Sequence, residues 1–77
     1  MPVVRIAGYE FRFFSLDRGE PPHVHVWRGG KLAKIWLDPV EDEWNKGYNE
    51  RELNNVLRLA HEHRKELLDA WNKHFAP

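Results

Sequence analysis

From Glu50 to Ala76 the chain contains neither glycine nor proline, and Asn49 stands immediately before this stretch with Glu52 three places further on. An Asn side chain can cap the free N–H groups at a helix start while the Glu reaches back to the cap backbone, so the pair predicts a helix beginning after Asn49. It should run to about residue 73. At about 100° per residue, Leu53, Val56, Leu57, Ala60, Leu67, Leu68, Trp71 and Phe75 fall in one stripe. A stripe of this kind must be buried against another layer, and in a chain of 77 residues only the segment ahead of it can provide that layer. One core and one domain, residues 1–77, follow from the length.

The segment ahead of the helix reads as two hairpins. Val3–Ile6 and Tyr9–Phe14 are rich in strand-favouring residues and flank Ala7-Gly8, which pairs Ile6 with Tyr9, Arg5 with Glu10 and Val4 with Phe11. Val4, Ile6, Tyr9, Phe11 and Phe13 then share one face, and Arg5, Glu10, Arg12 and Phe14 the other. Beyond a polar loop, Asp17–Pro22, the segments His23–Trp27 and Leu32–Leu37 flank Gly29-Gly30, whose freedom to adopt positive φ suits a tight hairpin turn. This register sets His25 opposite Lys34 and His23 opposite Trp36. His23, His25, Trp27, Leu32, Lys34 and Trp36 therefore share a face, with Val24, Val26, Ala33, Ile35 and Leu37 behind it. Asp38-Pro39-Val40-Glu41, with proline at the first helical position, suggests a short helical turn before Gly47. The expected architecture is α+β: a four-stranded antiparallel sheet of two hairpins with one long C-terminal helix packed on one face.

Twelve Lys and Arg balance twelve Asp and Glu, so a protein held to nucleic acid by overall charge is disfavoured. The neutral total hides a basic front and an acidic back. Residues 1–37 carry six basic against three acidic side chains, net +3, and residues 38–77 carry six against nine, net −3. Without cysteine there is no disulfide framework and no thiol nucleophile, which points to a cytoplasmic setting and leaves His and carboxylates as the metal ligands. No apolar run reaches the roughly 18 residues of a membrane span, and no signal-peptide pattern opens the chain.

Several segments carry a resemblance: Phe14-Ser15, Pro21–Val26 (PPHVHV), Trp36–Glu41 (WLDPVE), the Asn45, Gly47, Tyr48 step, and Glu62–Trp71 ending in LLDAW. Together they resemble a family of small bacterial proteins known as domain of unknown function 4160, over most of the chain. The resemblance implies a compact α+β fold and a small gene beside another small gene, an arrangement similar to toxin–antitoxin pairs. It implies no established activity.

Four groups of residues are candidates for function. His23 and His25, two apart on a strand, point the same way about 7 Å apart and suit two ligands of one divalent transition metal, with a third donor from Glu20, Asp38, Glu41 or His61. The alternative is structural, one ring bonding the loop and the other stacking on Trp36 or lying beside Lys34. His61 and His63 diverge by about 200° on the helix and cannot hold one ion together. Arg64 falls near the middle of the apolar stripe, where a guanidinium must reach water, pair with Asp38 or Glu41, or clamp an anion.

The fourth candidate is the sheet face bearing Arg5, Arg12, Phe14, Trp27, Lys34 and Trp36, which a single helix on the other side cannot cover. Its interleaved aromatics and cations suit a protein partner, either a second copy or the product of a neighbouring gene, and also RNA, on whose bases aromatic sheet surfaces stack. The expected function is that of a small bacterial interaction protein in a two-gene, toxin–antitoxin-like module, binding a partner through this face. The alternative is an RNA-acting hydrolase using a His-based, metal-binding or metal-free site. Whether His23 and His25 converge with a carboxylate separates the two.

Overall fold

The computed structural model describes residues 3–14 and 19–75, so Asp17 and Arg18 of the polar loop, and Ser15 of the Phe14-Ser15 motif, lie outside the described residues. Strands β1 (Val3–Ile6), β2 (Tyr9–Arg12), β3 (His23–Arg28), β4 (Lys31–Leu37) and β5 (Val40–Lys46) form one antiparallel sheet in the order of the sequence. Helices α1 (Glu50–Glu62) and α2 (Arg64–His74) follow. The α+β fold with an antiparallel sheet is thus present, but with five strands and two helices where four and one were expected.

Both expected hairpins form in the expected register. Ile6 pairs with Tyr9, Arg5 with Glu10 and Val4 with Phe11, while His25 lies opposite Lys34 and His23 opposite Trp36. The Gly29-Gly30 turn has φ of 54° and 80°, the pair of positive angles that lets a two-residue loop follow the right-handed strand twist. Strand β2 ends at Arg12, so Phe13 and Phe14 extend beyond it.

The first correction concerns residues 38–46. In place of a helical turn, Asp38-Pro39, joined by a cis peptide bond, make the two-residue turn from β4 into β5, with Leu37 paired to Val40. The β5 sequence, VEDEWNK, is poor in strand-favouring residues, which hid it from a propensity argument. Such a sequence is at home on an edge, where charged side chains blunt pairing with other sheets. Its register slips between Lys34 and Ile35: Trp44 stands opposite Lys34 and Asp42 opposite Ile35, leaving Glu43 as the extra, bulged residue.

The second correction is the helix. It bends at His63, whose φ of −104° and ψ of 18° leave the helical region, although the His63 N–H still reaches Leu59 O at 3.0 Å. A straight helix of about 25 residues would be about 37 Å long, against strands of seven residues spanning about 24 Å, so an unbent helix would overrun the sheet. Immediately past the bend, Arg64 Nε donates to Leu37 O at 2.7 Å and an Arg64 terminal nitrogen donates to Asp38 Oδ1 at 2.7 Å, tying α2 to the β4–β5 turn.

The core lies between the helices and one sheet face. Phe11, Phe13, Val24, Val26, Ala33, Ile35 and Leu37 meet Val56, Ala60 and Leu67, all without solvent exposure. Leu59 and Trp71 join them, nearly buried. The cap operates as expected: Asn49 Oδ1 accepts from Glu52 N–H at 2.8 Å and Glu52 Oε1 from Asn49 N–H at 3.0 Å. Between β5 and α1, the Asn45 side chain bonds both the N–H and the carbonyl of Tyr48, closing a turn around Gly47. Gly47 has φ of +106°, and a Cβ there would stand 3.1 Å from Lys31 Cγ, so both backbone and space require glycine.

Candidate functional site

Helices α1 and α2 carry their buried residues onto one side of the sheet, and the other side presents the alternate residues of all five strands. Trp27 on β3, Trp36 on β4 and Trp44 on β5 are each half-buried there, as is Phe14 just beyond β2. Strand pleating alone selects them: Trp27 is opposite Leu32 and Glu10, and Trp44 opposite Lys34, on the face away from Val26 and Ile35.

A cation from a neighbouring position covers each indole. The Arg12 guanidinium sits 4.9 Å from the Trp27 ring centre, Lys34 Nζ 4.8 Å from that of Trp36, and Lys46 Nζ 5.2 Å from that of Trp44. Two of these cations are also paired with acids. Arg12 Nε donates to Glu10 Oε1 at 3.0 Å, and Lys34 Nζ to Glu20 Oε1 at 2.7 Å. Each carboxyl is held below the usual carboxylate range mainly by that hydrogen bond, from Arg12 on Glu10 and from Lys34 on Glu20. The bulged Glu43 accepts from Trp36 Nε1 at 2.8 Å, which fixes the indole plane. Arg5, on β1, is exposed at the rim.

His25 is the hub of the aromatic cluster. Its ring meets Phe14 edge-on at 4.7 Å between centroids, Trp44 at 5.8 Å and His23 at 5.4 Å. His23 is completely buried. Its Nδ1 lies 2.9 Å from Pro21 O, and its ring packs on Trp36 at 5.3 Å and on Trp71 of α2 at 5.0 Å. Because Trp71 also touches Phe13, the indole joins the hydrophobic core to the end of the aromatic face.

The candidate metal pair therefore sits in a packed aromatic environment. Glu20 Oε1 approaches His23 Nδ1 only to 4.0 Å, and among the described residues no three His, Asp or Glu side chains converge on one point. His61 is exposed on α1 and His63 occupies the bend, apart from His23 and His25. The Arg64 guanidinium bonds Leu37 O and Asp38, the internal pair that its place in the stripe allowed.

Five of the six residues singled out for partner binding, Arg12, Phe14, Trp27, Lys34 and Trp36, thus come together around His25, with Arg5 at the edge. Trp44 and Lys46 belong to the same surface and were missed, because their strand was not recognised. A tryptophan between charged residues, two places from a lysine, was the signal available for them. The arrangement is an aromatic centre around His25 with charged side chains beside it.

A family model described as a domain of unknown function (DUF4160) matches residues 8–72, in agreement with the resemblance carried by the sequence motifs. Comparison with curated proteins and with solved structures finds no match.

Proposed function

The chain belongs to the DUF4160 family, and we propose that it is a protein-interaction module whose Trp-bearing sheet face docks a protein partner, a second copy of the chain in the simplest case. The observation that carries this reading is the set of three tryptophans, Trp27, Trp36 and Trp44, half-buried on one sheet face with a cation over each ring. Tryptophan and arginine dominate the binding energy of protein interfaces because they bury large areas while keeping a polar handle.

Two features favour a protein over RNA as the occupant. A base that stacked on an indole would have to displace the cation already lying over it, and a phosphate that paired with Arg12 or Lys34 would have to displace Glu10 or Glu20. A protein surface can pack on these pairs as they stand.

Charge favours a second copy. The β1–β2 side of the face carries Arg5 and Arg12 against Glu10, net +1, and the β5 side carries Glu41 and Glu43 against Lys46, net −1. A two-fold axis running along β3 between facing sheets lays each copy's basic side over the partner's acidic side, the self-complementarity that such symmetry demands. Five strands about 4.8 Å apart and up to about 24 Å long give a footprint of about 500 Å² per copy. The total of about 1,000 Å² is at the lower limit of specific interfaces, so the dimer should be weak and concentration-dependent. The two-gene, toxin–antitoxin-like setting would supply a heteromeric partner for the same face.

Sedimentation equilibrium across a concentration series tests the reading. The unmodified chain should shift from monomer to dimer, and the double variant Trp27→Ala, Trp36→Ala should stay monomeric while remaining folded. A double variant that keeps the parent's oligomeric state, and its binding to the neighbouring gene's product on co-expression, removes this face as the interface. RNA binding that weakens steeply with salt and depends on Arg5, Arg12 and Lys34 would favour the nucleic-acid reading instead.

A further inference from the structure

On the helix side of the sheet, at the end farthest from the β4–β5 turn, the β3–β4 turn and the first turns of α1 border an open cleft of about 700 Å³. This lies within the size range of small-molecule sites. Four cations line it, Arg28 from the end of β3, Lys31 from the start of β4, and Arg51 and Arg58 from α1, against a single carboxylate, Glu52. A third of the chain's Lys and Arg side chains thus converge, net +3, in a protein whose overall charge is zero.

The sequence gives no hint of this convergence, because the four residues come from three elements. Folding holds several of them in place. The Arg28 guanidinium lies over the Tyr9 ring, 4.9 Å from its centre, and Asn55 Nδ2 donates to Tyr9 Oη at 3.3 Å. Arg58 is steered by Asn55 Oδ1 at 2.6 Å and Glu62 Oε1 at 2.8 Å. Lys31 Nζ donates to Glu52 Oε2 at 2.6 Å, leaving the sole acid of the cleft already engaged. Arg51, Asn55 and Arg58 follow the i, i+4, i+7 spacing of one helix face. Tyr48, behind them, has its phenol pushed up to about 12 by burial, so no negative charge arises from it near neutral pH.

We propose that this cleft binds a ligand carrying a pyrophosphate group, either free oligophosphate or a nucleoside diphosphate. Guanidinium groups grip phosphoryl oxygens in pairs, and cations contributed from both sides of the cleft match an anion with charge on two adjacent phosphorus centres better than one. The site is on the opposite side of the sheet from the Trp face, so neither reading depends on the other.

Isothermal titration calorimetry at low salt tests it with four probes: inorganic phosphate, pyrophosphate, ADP and GDP. Pyrophosphate should bind at least tenfold tighter than phosphate, and Arg28→Gln or Arg51→Gln should each weaken it about tenfold, with Arg64→Gln unchanged. Arg51 is exposed, so its variant reports binding without endangering the fold. A nucleoside diphosphate tighter than pyrophosphate assigns the nucleotide as the source of the group; equal affinity assigns the free anion. No binding of any probe up to millimolar concentration, equal binding by the Arg28 and Arg51 variants, or selective binding of a single-stranded RNA decamer in place of all four overturns the proposal.

Discussion

Replacing Trp71 by alanine is the sharpest test of how the helices sit on the sheet. The side chain is only 6% exposed and its ring contacts Phe75 at 4.2 Å, His23 at 5.0 Å and Phe13 at 6.4 Å between centroids. Burial of about 200 Å² at about 25 cal/mol per Å² amounts to about 5 kcal/mol, near the top of the range of about 3–5 kcal/mol seen for large aromatics truncated in cores. A domain of this length has a total stability of about 4–12 kcal/mol. Trp71→Ala should therefore remove a large part of it, and at about 4–8 °C per kcal/mol the Tm should fall by at least about 12 °C. Thermal unfolding followed by circular dichroism reads the shift, with Trp27→Ala as the control. Trp27 is half-buried on the uncovered face, so that variant should lose about 1 kcal/mol or less. A Trp71→Ala protein melting within about 5 °C of the parent would mean that α2 does not dock as described.

Arg64→Ala should cost about 1–2 kcal/mol in urea unfolding, because it strips two charge-assisted hydrogen bonds from the β4–β5 turn at a half-buried site. Asn49→Ala should cost about 1 kcal/mol through loss of the side-chain half of the capping box, the Glu52 N–H bond to Asn49 Oδ1, and Asn49→Asp should retain most of the stability. Acid should destabilise the fold in a defined window. Glu10, Glu20 and Glu52 have carboxyls lowered from 4.5 in the folded chain, by Arg12, by Lys34, and by the Asn49 N–H followed by Lys31. Their contribution is complete above 4.5 and disappears as the pH falls through the lowered values. A denaturant midpoint that declines below this pH, and declines less in Lys34→Gln, is the expected result; a flat profile refutes it.

What could be read in the sequence was what local chemistry determines. The Ala7-Gly8 and Gly29-Gly30 turns fix two hairpin registers, and register fixes faces, so Trp27, Trp36 and Lys34 share one face of the second hairpin and Arg12 the polar face of the first. Asn49 and Glu52 likewise located the helix start. Strand β5 escaped because its pairing is decided by β4 and not by Glu41, Asp42 and Glu43 themselves, and with it went Trp44 and Lys46. The bend at His63 escaped for a related reason: no glycine or proline marks it, and its cause is the short sheet beneath and the Arg64 anchor beyond. The cations of the cleft come from positions up to thirty apart, Arg28 to Arg58, which no local pattern joins.

The strand order also bears on how the chain reaches this state. Because every strand pairs with its sequence neighbour, three of the four pairings close through two-residue turns and are local in sequence. The exception is the joint between β2 and β3, whose connection spans residues 13–22. Closing ten residues instead of two costs about 1.4 kcal/mol more in chain entropy. Folding should then proceed from two preformed blocks, β1–β2 and β3–β4–β5, whose meeting limits the rate. Phe11 and Val26, which face each other across that joint, are the residues whose truncation should slow folding most.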